Sequence, residues 1–233
     1  MSHSKKVVLS LIAVLAIVAV SMFSAWAASQ ADDEESIRNA ATVLTAMLSS
    51  KDVSSSALAK ADCVIVMPRV KKFAVGIGGT GGRGPMSCRE GADFRGKWSP
   101  PAMYSIGGAS AGFQVGGTST DFVLLVMSSS AVQKVLDGKV KVGSDVTAAA
   151  GPGATAGGKV GGEDILTYAR AKGLFAGVSL DGSTLSPDSD ANKRLYGKEA
   201  PAKEIVAGKN VTATSAGTEF ATLLDSKAPK HHP

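Results

Sequence analysis

Of the 27 glycines in this 233-residue chain, 24 lie between Gly76 and Gly182, and none comes before. Long helices do not tolerate such a load, because each interior glycine costs about 1 kcal/mol relative to alanine. Strands that bend sharply, or that let another backbone approach closely, do tolerate it. Short apolar or alternating runs fall between and beside the glycines: Val64–Met67, Phe73–Ile77, Met103–Ile106, Phe113–Val115, Phe122–Met127, Lys139–Val142, Ile165–Arg170 and Leu174–Leu180. Their length and Gly/Pro/Ser punctuation predict strands joined by tight turns. Gly151–Gly162 reads as a loop.

Helical patterns flank this region. Asp32, Asp33, Glu34 and Glu35 open a helix over 32–50, where acids suit the positive end of the helix dipole. Ile37, Ala40, Ala41, Leu44, Met47 and Leu48 then recur at steps of three and four and form one apolar face. That face is expected to pack on the domain, since a membrane-surface helix would carry its four acids against anionic lipid. Ser54–Lys60, Ser128–Asp137, Asp188–Tyr196 and Thr218–Ser226 read as further helices. Serines serve as N-cap for the second, and Gly138 and Gly197 stop the second and third. No repeat of 20–50 residues is present, which removes solenoids and propellers. The expected class is α+β: a mainly antiparallel, glycine-rich curved sheet or barrel-like core with N- and C-terminal helices.

The first residues predict export. Lys5 and Lys6 precede an apolar stretch from Val7 to Val20, and Ala25-Trp26-Ala27 supplies a small-x-small cleavage pattern. That order is the layout of a signal peptide over residues 1–27. The domain is then expected over 28–200, with a helical extension and polar tail over 201–233. The competing reading is an uncleaved inner-membrane anchor from Val7 to Ala28, although Ser10, Ser21 and Ser24 dilute it. A periplasmic or cell-envelope location follows from the signal peptide. Oxidation is permitted there, and Cys63 and Cys88 stand in or beside candidate strands. A disulfide and two separate buried thiols both stay open, because their distance is not written in the sequence.

Whole-chain charge is modest at +5, but its distribution is uneven. Seven cations (Arg69, Lys71, Lys72, Arg83, Arg89, Arg95 and Lys97) lie within one segment that holds only two acids, Glu90 and Asp93. Phe94 and Trp98 sit among them. Cations with adjacent aromatics suit a membrane surface, where the charges meet lipid phosphates and the rings enter the interface. The competing reading is a solvated face that keeps the protein soluble. Nucleic acid does not fit an exported chain.

Catalytic and cofactor signatures are weak. Gly76, Gly78 and Gly81 match G-x-G-x-x-G, but Arg83-Gly84-Pro85 and strand-like residues follow where a dinucleotide fold needs a helix. Gly91–Lys97 and Gly153–Lys159 fit G-x-x-x-x-G-K, yet Trp98 and Val160 replace the magnesium-binding hydroxyl. The histidines are His3, His231 and His232, all at the chain ends, so a histidine-based triad or metal site in the core is excluded. Asp121, Asp145, Glu163 and Asp164 remain as carboxylates without a diagnostic spacing. The chain is expected to bind rather than catalyse, with no cofactor and no metal.

Three blocks carry a family resemblance: VIVMPRVKKFAVGIGGTGGRG (Val64–Gly84), WSPPAMYSIGGASAGFQVGGTSTDFVLLVM (Trp98–Met127) and LTYARAKGLFAGVSLDGSTLSPDSDANKRLYG (Leu166–Gly197). Together they resemble the SYLF, or Ysc84-like, family over about Ser36 to Gly197. The resemblance implies a lipid-binding domain. Eukaryotic relatives are associated with phosphoinositide and actin binding, usually beside SH3 or FYVE modules. This chain departs from their lipid-binding helix, since its first helix begins acidic and the nearby cations are Arg38 and Lys51. In a bacterial envelope, anionic phospholipid or an envelope protein is the expected partner, and actin is not. The resemblance does not mark the Arg69–Lys97 cations as ligands; that choice follows from their charge.

Overall fold

The computed structural model describes residues 29–138, 140–142, 147–148, 165–172 and 183–229. Helix α1 covers 29–49, and α2 covers Ser55–Lys60, where the Ser54 hydroxyl accepts the Ala57 N–H as an N-cap. Two long strands follow, β1 at Cys63–Cys88 and β2 at Ala102–Val126, paired antiparallel along almost their whole length. Five of the eight runs predicted from sequence are therefore parts of just two strands. Their glycines sit inside the ladder, as at Gly81 opposite Gly107 and Gly76 opposite Gly112. A ladder needs only backbone N–H and C=O groups, which glycine supplies as well as any residue.

Fully extended, β1 would reach about 85 Å, yet its two ends meet. Cys63 and Cys88 are joined by a disulfide, and the Arg89 N–H donates to the Asp62 carbonyl at 2.9 Å. The paired strands thus fold over midway, and one limb of β1 crosses the other. The glycines of the returning limb permit the approach: Phe73 lies against Gly79, Val70 against Gly82, and the Val66 carbonyl against Gly84. A Cβ on Gly84 would stand 1.9 Å from that carbonyl oxygen.

The two limbs of β2 carry the rest of the curled, half-barrel sheet. One limb pairs with β6 (Ser183–Pro187), which pairs with β3 (Val140–Val142). The other pairs with β5 (Ile165–Lys172), which runs parallel to the short β4 (Thr147–Ala148). All pairs but the last are antiparallel, so the α+β expectation holds. Strand β6 is not predicted from the sequence because STLSP has no apolar run. The predicted strand Leu174–Leu180 and loop Gly151–Gly162 lie outside the described residues.

Side chains alternate between two cores. Cys63, Ile65 and Met67 face an inner core with Tyr104, Phe122, helix α3 (Ser129–Asp137) and helix α5 (Ala202–Val206). Val64, Val66, Val123 and Leu125 face an outer core covered by α1, α4 (Ser189–Tyr196) and α6 (Ser215–Lys227). A sheet buried on both faces needs continuous apolar runs, which explains VIVM and FVLLV. Ile37, Ala40, Leu44 and Met47 are the buried face of α1, which packs on the domain as its spacing predicts. The helices after residue 200 supply Ile205 to the inner core and Phe220 and Leu224 to the outer one. Helix α4 is pinned to β2 by the buried Asn192, whose side chain accepts the Met103 N–H at 2.7 Å and donates to the Met103 carbonyl at 3.2 Å. Burial pushes the Tyr104 phenol up in pKa, and its hydroxyl donates to the Val135 carbonyl. No described helix is long and apolar enough to cross a membrane.

Candidate functional site

The seven clustered cations have separate fates. Arg89 and Trp98, expected at a membrane surface, are instead 1% and 2% exposed, and the guanidinium lies 4.5 Å over the indole ring. Both donate to the Ala228 carbonyl just past α6, Arg89 at 2.7 Å and Trp98 Nε1 at 3.1 Å, and the Trp98 N–H donates to Asp225. Burial lowers the Arg89 pKa, and Asp225 and Asp62 oppose the shift. This pair holds the C-terminal helix over the loop between β1 and β2. It does not offer itself to a ligand, because the guanidinium is buried against the indole ring and spends Nη1 on the Gly96 carbonyl and Nη2 on the Ala228 carbonyl.

Arg83 is also committed. Its guanidinium and that of Arg194 converge on the carboxylate of Asp33, which has no exposure. Arg194 binds in a fork, Nε to Oδ2 at 2.7 Å and Nη2 to Oδ1 at 3.2 Å. One acid of α1 therefore ties three elements together. Replacing Asp33 with alanine should lower stability by about 3 kcal/mol, the low end for breaking a buried pair, because Arg83 still reaches water. Urea unfolding of the two proteins checks this. An unchanged midpoint would show that the clamp contributes nothing.

Near the loop tip, Arg95 faces Asp93 at 3.4 Å and Lys97 faces Glu90 at 3.9 Å, all within the same short segment. These exposed pairs are worth little to stability, but they neutralise their own charge locally.

What remains is one stretch of β1. Its ladder with β2 runs from Met67 opposite Phe122 to Val70 opposite Thr120, so Pro68 and Arg69 together face Asp121. This is a β-bulge with one extra residue. Arg69 adopts φ 51°, and its N–H donates to Asp121 Oδ1 at 2.9 Å. Beyond the bulge Val70 is buried, Lys72 is half-buried, and Arg69, Lys71 and Phe73 are exposed, Phe73 at 63%. Their neighbours on β2, Ser119 opposite Lys71 and Gly117 opposite Phe73, bear no charge. Phe73 is the exposed large hydrophobic side chain among the described residues. The sequence places it at the start of the predicted strand Phe73–Ile77 and does not mark it as exposed. Pro68 is the available signal, since proline within a strand is confined to sheet edges and bulges.

Asp121, one of the carboxylates left open from sequence, is thus the acceptor that holds this bulge. Asp145, Glu163 and Asp164 lie outside the described residues. Among the described residues no group of acids, cysteines or histidines is placed to hold a metal ion.

Folded-back paired strands, helices on both faces and a cationic limb with one protruding ring define an α+β domain. A family model described as "Las17-binding protein actin regulator", Ysc84, matches residues 107–227, and the chain belongs to this family. It is 40% identical over 139 residues to an SH3 domain-containing protein of Schizosaccharomyces pombe, covering 57% of this chain and 32% of that protein. It is 36% identical over 140 residues to protein YSC84 of Saccharomyces cerevisiae (57% and 30%) and 34% identical over 148 residues to LAS seventeen-binding protein 3 of the same species (59% and 31%). The chain therefore spans about a third of the length of these curated relatives. No solved structure matches it.

Proposed function

We propose that this chain is a non-catalytic binding domain of the cell envelope that attaches peripherally to anionic phospholipid through the Arg69–Phe73 limb of β1. Headgroups of the phosphoinositide type are the chemistry suggested by the family resemblance. The observation that carries the reading is the exposure of Arg69, Lys71 and Phe73 together on one limb, with uncharged residues opposite Lys71 and Phe73. This set replaces the seven-cation patch expected from sequence, because the other cations are buried or paired. The envelope placement rests on the Lys5–Ala27 pattern, which protein sequencing of the exported chain would test by a new N-terminus at Ala28.

The magnitudes make the attachment weak and reversible. Each cation near an anionic surface contributes about 1 kcal/mol, and partial burial of one Phe adds about 1–2 kcal/mol. Together these give an affinity of roughly millimolar accessible lipid. Flotation with phosphatidylcholine vesicles, with and without phosphatidylglycerol, at low and high salt, tests it. Binding should require the anionic lipid and fall with salt, and Lys71→Glu should reduce it roughly 10- to 30-fold. Binding indifferent to lipid charge, or untouched by Lys71→Glu, removes the proposal.

A protein partner is the second reading, favoured by the family description and by the binding named for LAS seventeen-binding protein 3. It gains if purified Las17 binds the chain and vesicles do not. The relatives carry binding or SH3 names, which supports a binding role over a catalytic one.

A further inference from the structure

We propose that the Pro68–Arg69 bulge, held by Asp121, is the positioning element of the exposed limb: it decides that Lys71 and Phe73 face outward. This rests on the lipid-surface reading for its purpose, but not for its geometry. Before the bulge, odd-numbered residues of β1 point into the inner core, as Cys63, Ile65 and Met67 do. Strict alternation would send Arg69, Lys71 and Phe73 to that same face and turn Val70 outward, since side chains on a strand repeat every two residues. The extra residue inverts the order. Val70 joins the inner core, and Lys71 and Phe73 come out.

The bulge is built from parts that suit it. Pro68 has no N–H to leave without a ladder partner. The Arg69 N–H is accepted by Asp121 Oδ1 at 2.9 Å, across 52 residues of chain. Arg69 takes the left-handed region, which costs a side-chain-bearing residue and needs such an anchor. The task of Asp121 here is to offer an oxygen to a backbone N–H, so an amide oxygen at the same position should serve.

The test uses the full chain with Phe73→Trp as reporter. Without vesicles, quenching of the new indole by acrylamide reports whether position 73 faces water. With phosphatidylglycerol vesicles, its blue shift reports insertion. On this background Asp121→Ala should shield position 73 and cut vesicle partitioning about tenfold, while Asp121→Asn keeps both readouts close to the parent. Arg69→Gly accepts the left-handed backbone without strain. It should leave quenching unchanged and lose only one cation, about fivefold in partitioning. Arg69→Val should shield position 73, because a β-branched residue resists that conformation. If Asp121→Ala does not fold, the Arg69→Gly and Arg69→Val pair carries the test alone. Equal quenching in Arg69→Val and Arg69→Gly, or in a folded Asp121→Ala and its parent, overturns the positioning role, as does Asp121→Asn behaving like Asp121→Ala. Changed quenching with no vesicle response in the parent keeps the positioning role and removes the lipid reading.

Discussion

Gly84→Ala is expected to destabilise this domain by about 4 kcal/mol or to prevent its folding. The new Cβ would stand 1.9 Å from the Val66 carbonyl oxygen and 2.9 Å from the carbonyl carbon. Neither is the end of a flexible side chain that could rotate away. Both belong to the crossing limb of β1, which is held by its own ladder to β2 and by the disulfide beside it. Relief requires the two limbs to part by an ångström or so. That movement would loosen the inner core on one side and the outer core on the other. Gly81→Ala is the control, since nothing lies within 4 Å of its Cβ position. It should change stability by no more than about 0.5–1 kcal/mol, and in the favourable direction if unfolded-chain entropy dominates. Denaturation midpoints of the two variants decide the matter. Similar midpoints would mean that the limbs are not in contact at Gly84.

Removing the Cys63–Cys88 bond should cost about 3 kcal/mol. The bond closes a loop of sequence separation 25, and a cross-link of that span withholds roughly this much entropy from the unfolded chain. Both cysteines are fully buried, so alanine is a better replacement than serine, whose hydroxyl would enter an apolar core without a partner. The double Cys63→Ala, Cys88→Ala variant should unfold at lower denaturant, and its midpoint should ignore reductant. The parent should lose a similar amount when reduced in denaturant and then refolded with reductant present. Intact mass under alkylating conditions supplies the check. Two labelled thiols in the native protein would remove the bond and the prediction with it.

The contrast between Gly81 and Gly84 shows where sequence reasoning stops. Both are glycines of one GGRG stretch, and nothing local separates them. One faces open space and the other a carbonyl of its own strand folded back. The charged residues divide in the same way. Arg69 and Arg89 look alike in sequence, each beside a candidate strand and within reach of an aromatic. Arg89 lies under α6, stacked on Trp98 and bonded to Ala228, because the loop after β1 meets a helix 130 residues later. Arg69 stays in solvent because one extra residue at the bulge turned its neighbours over.

From its own pattern the chain determined the α+β class, the positions of its main helices and their caps, and the buried face of the first helix. Those depend on periodicity and on side chains acting within a few residues, and such information is local. Only the tertiary structure decided that five of the eight short runs belong to two folded-over strands and that the cysteines meet. It also decided which cations are locked to acids, and that Phe73 faces water. Each of those outcomes depends on two segments far apart in sequence being brought within a few ångströms, and on the parity of one bulge. Composition and spacing carry no record of either.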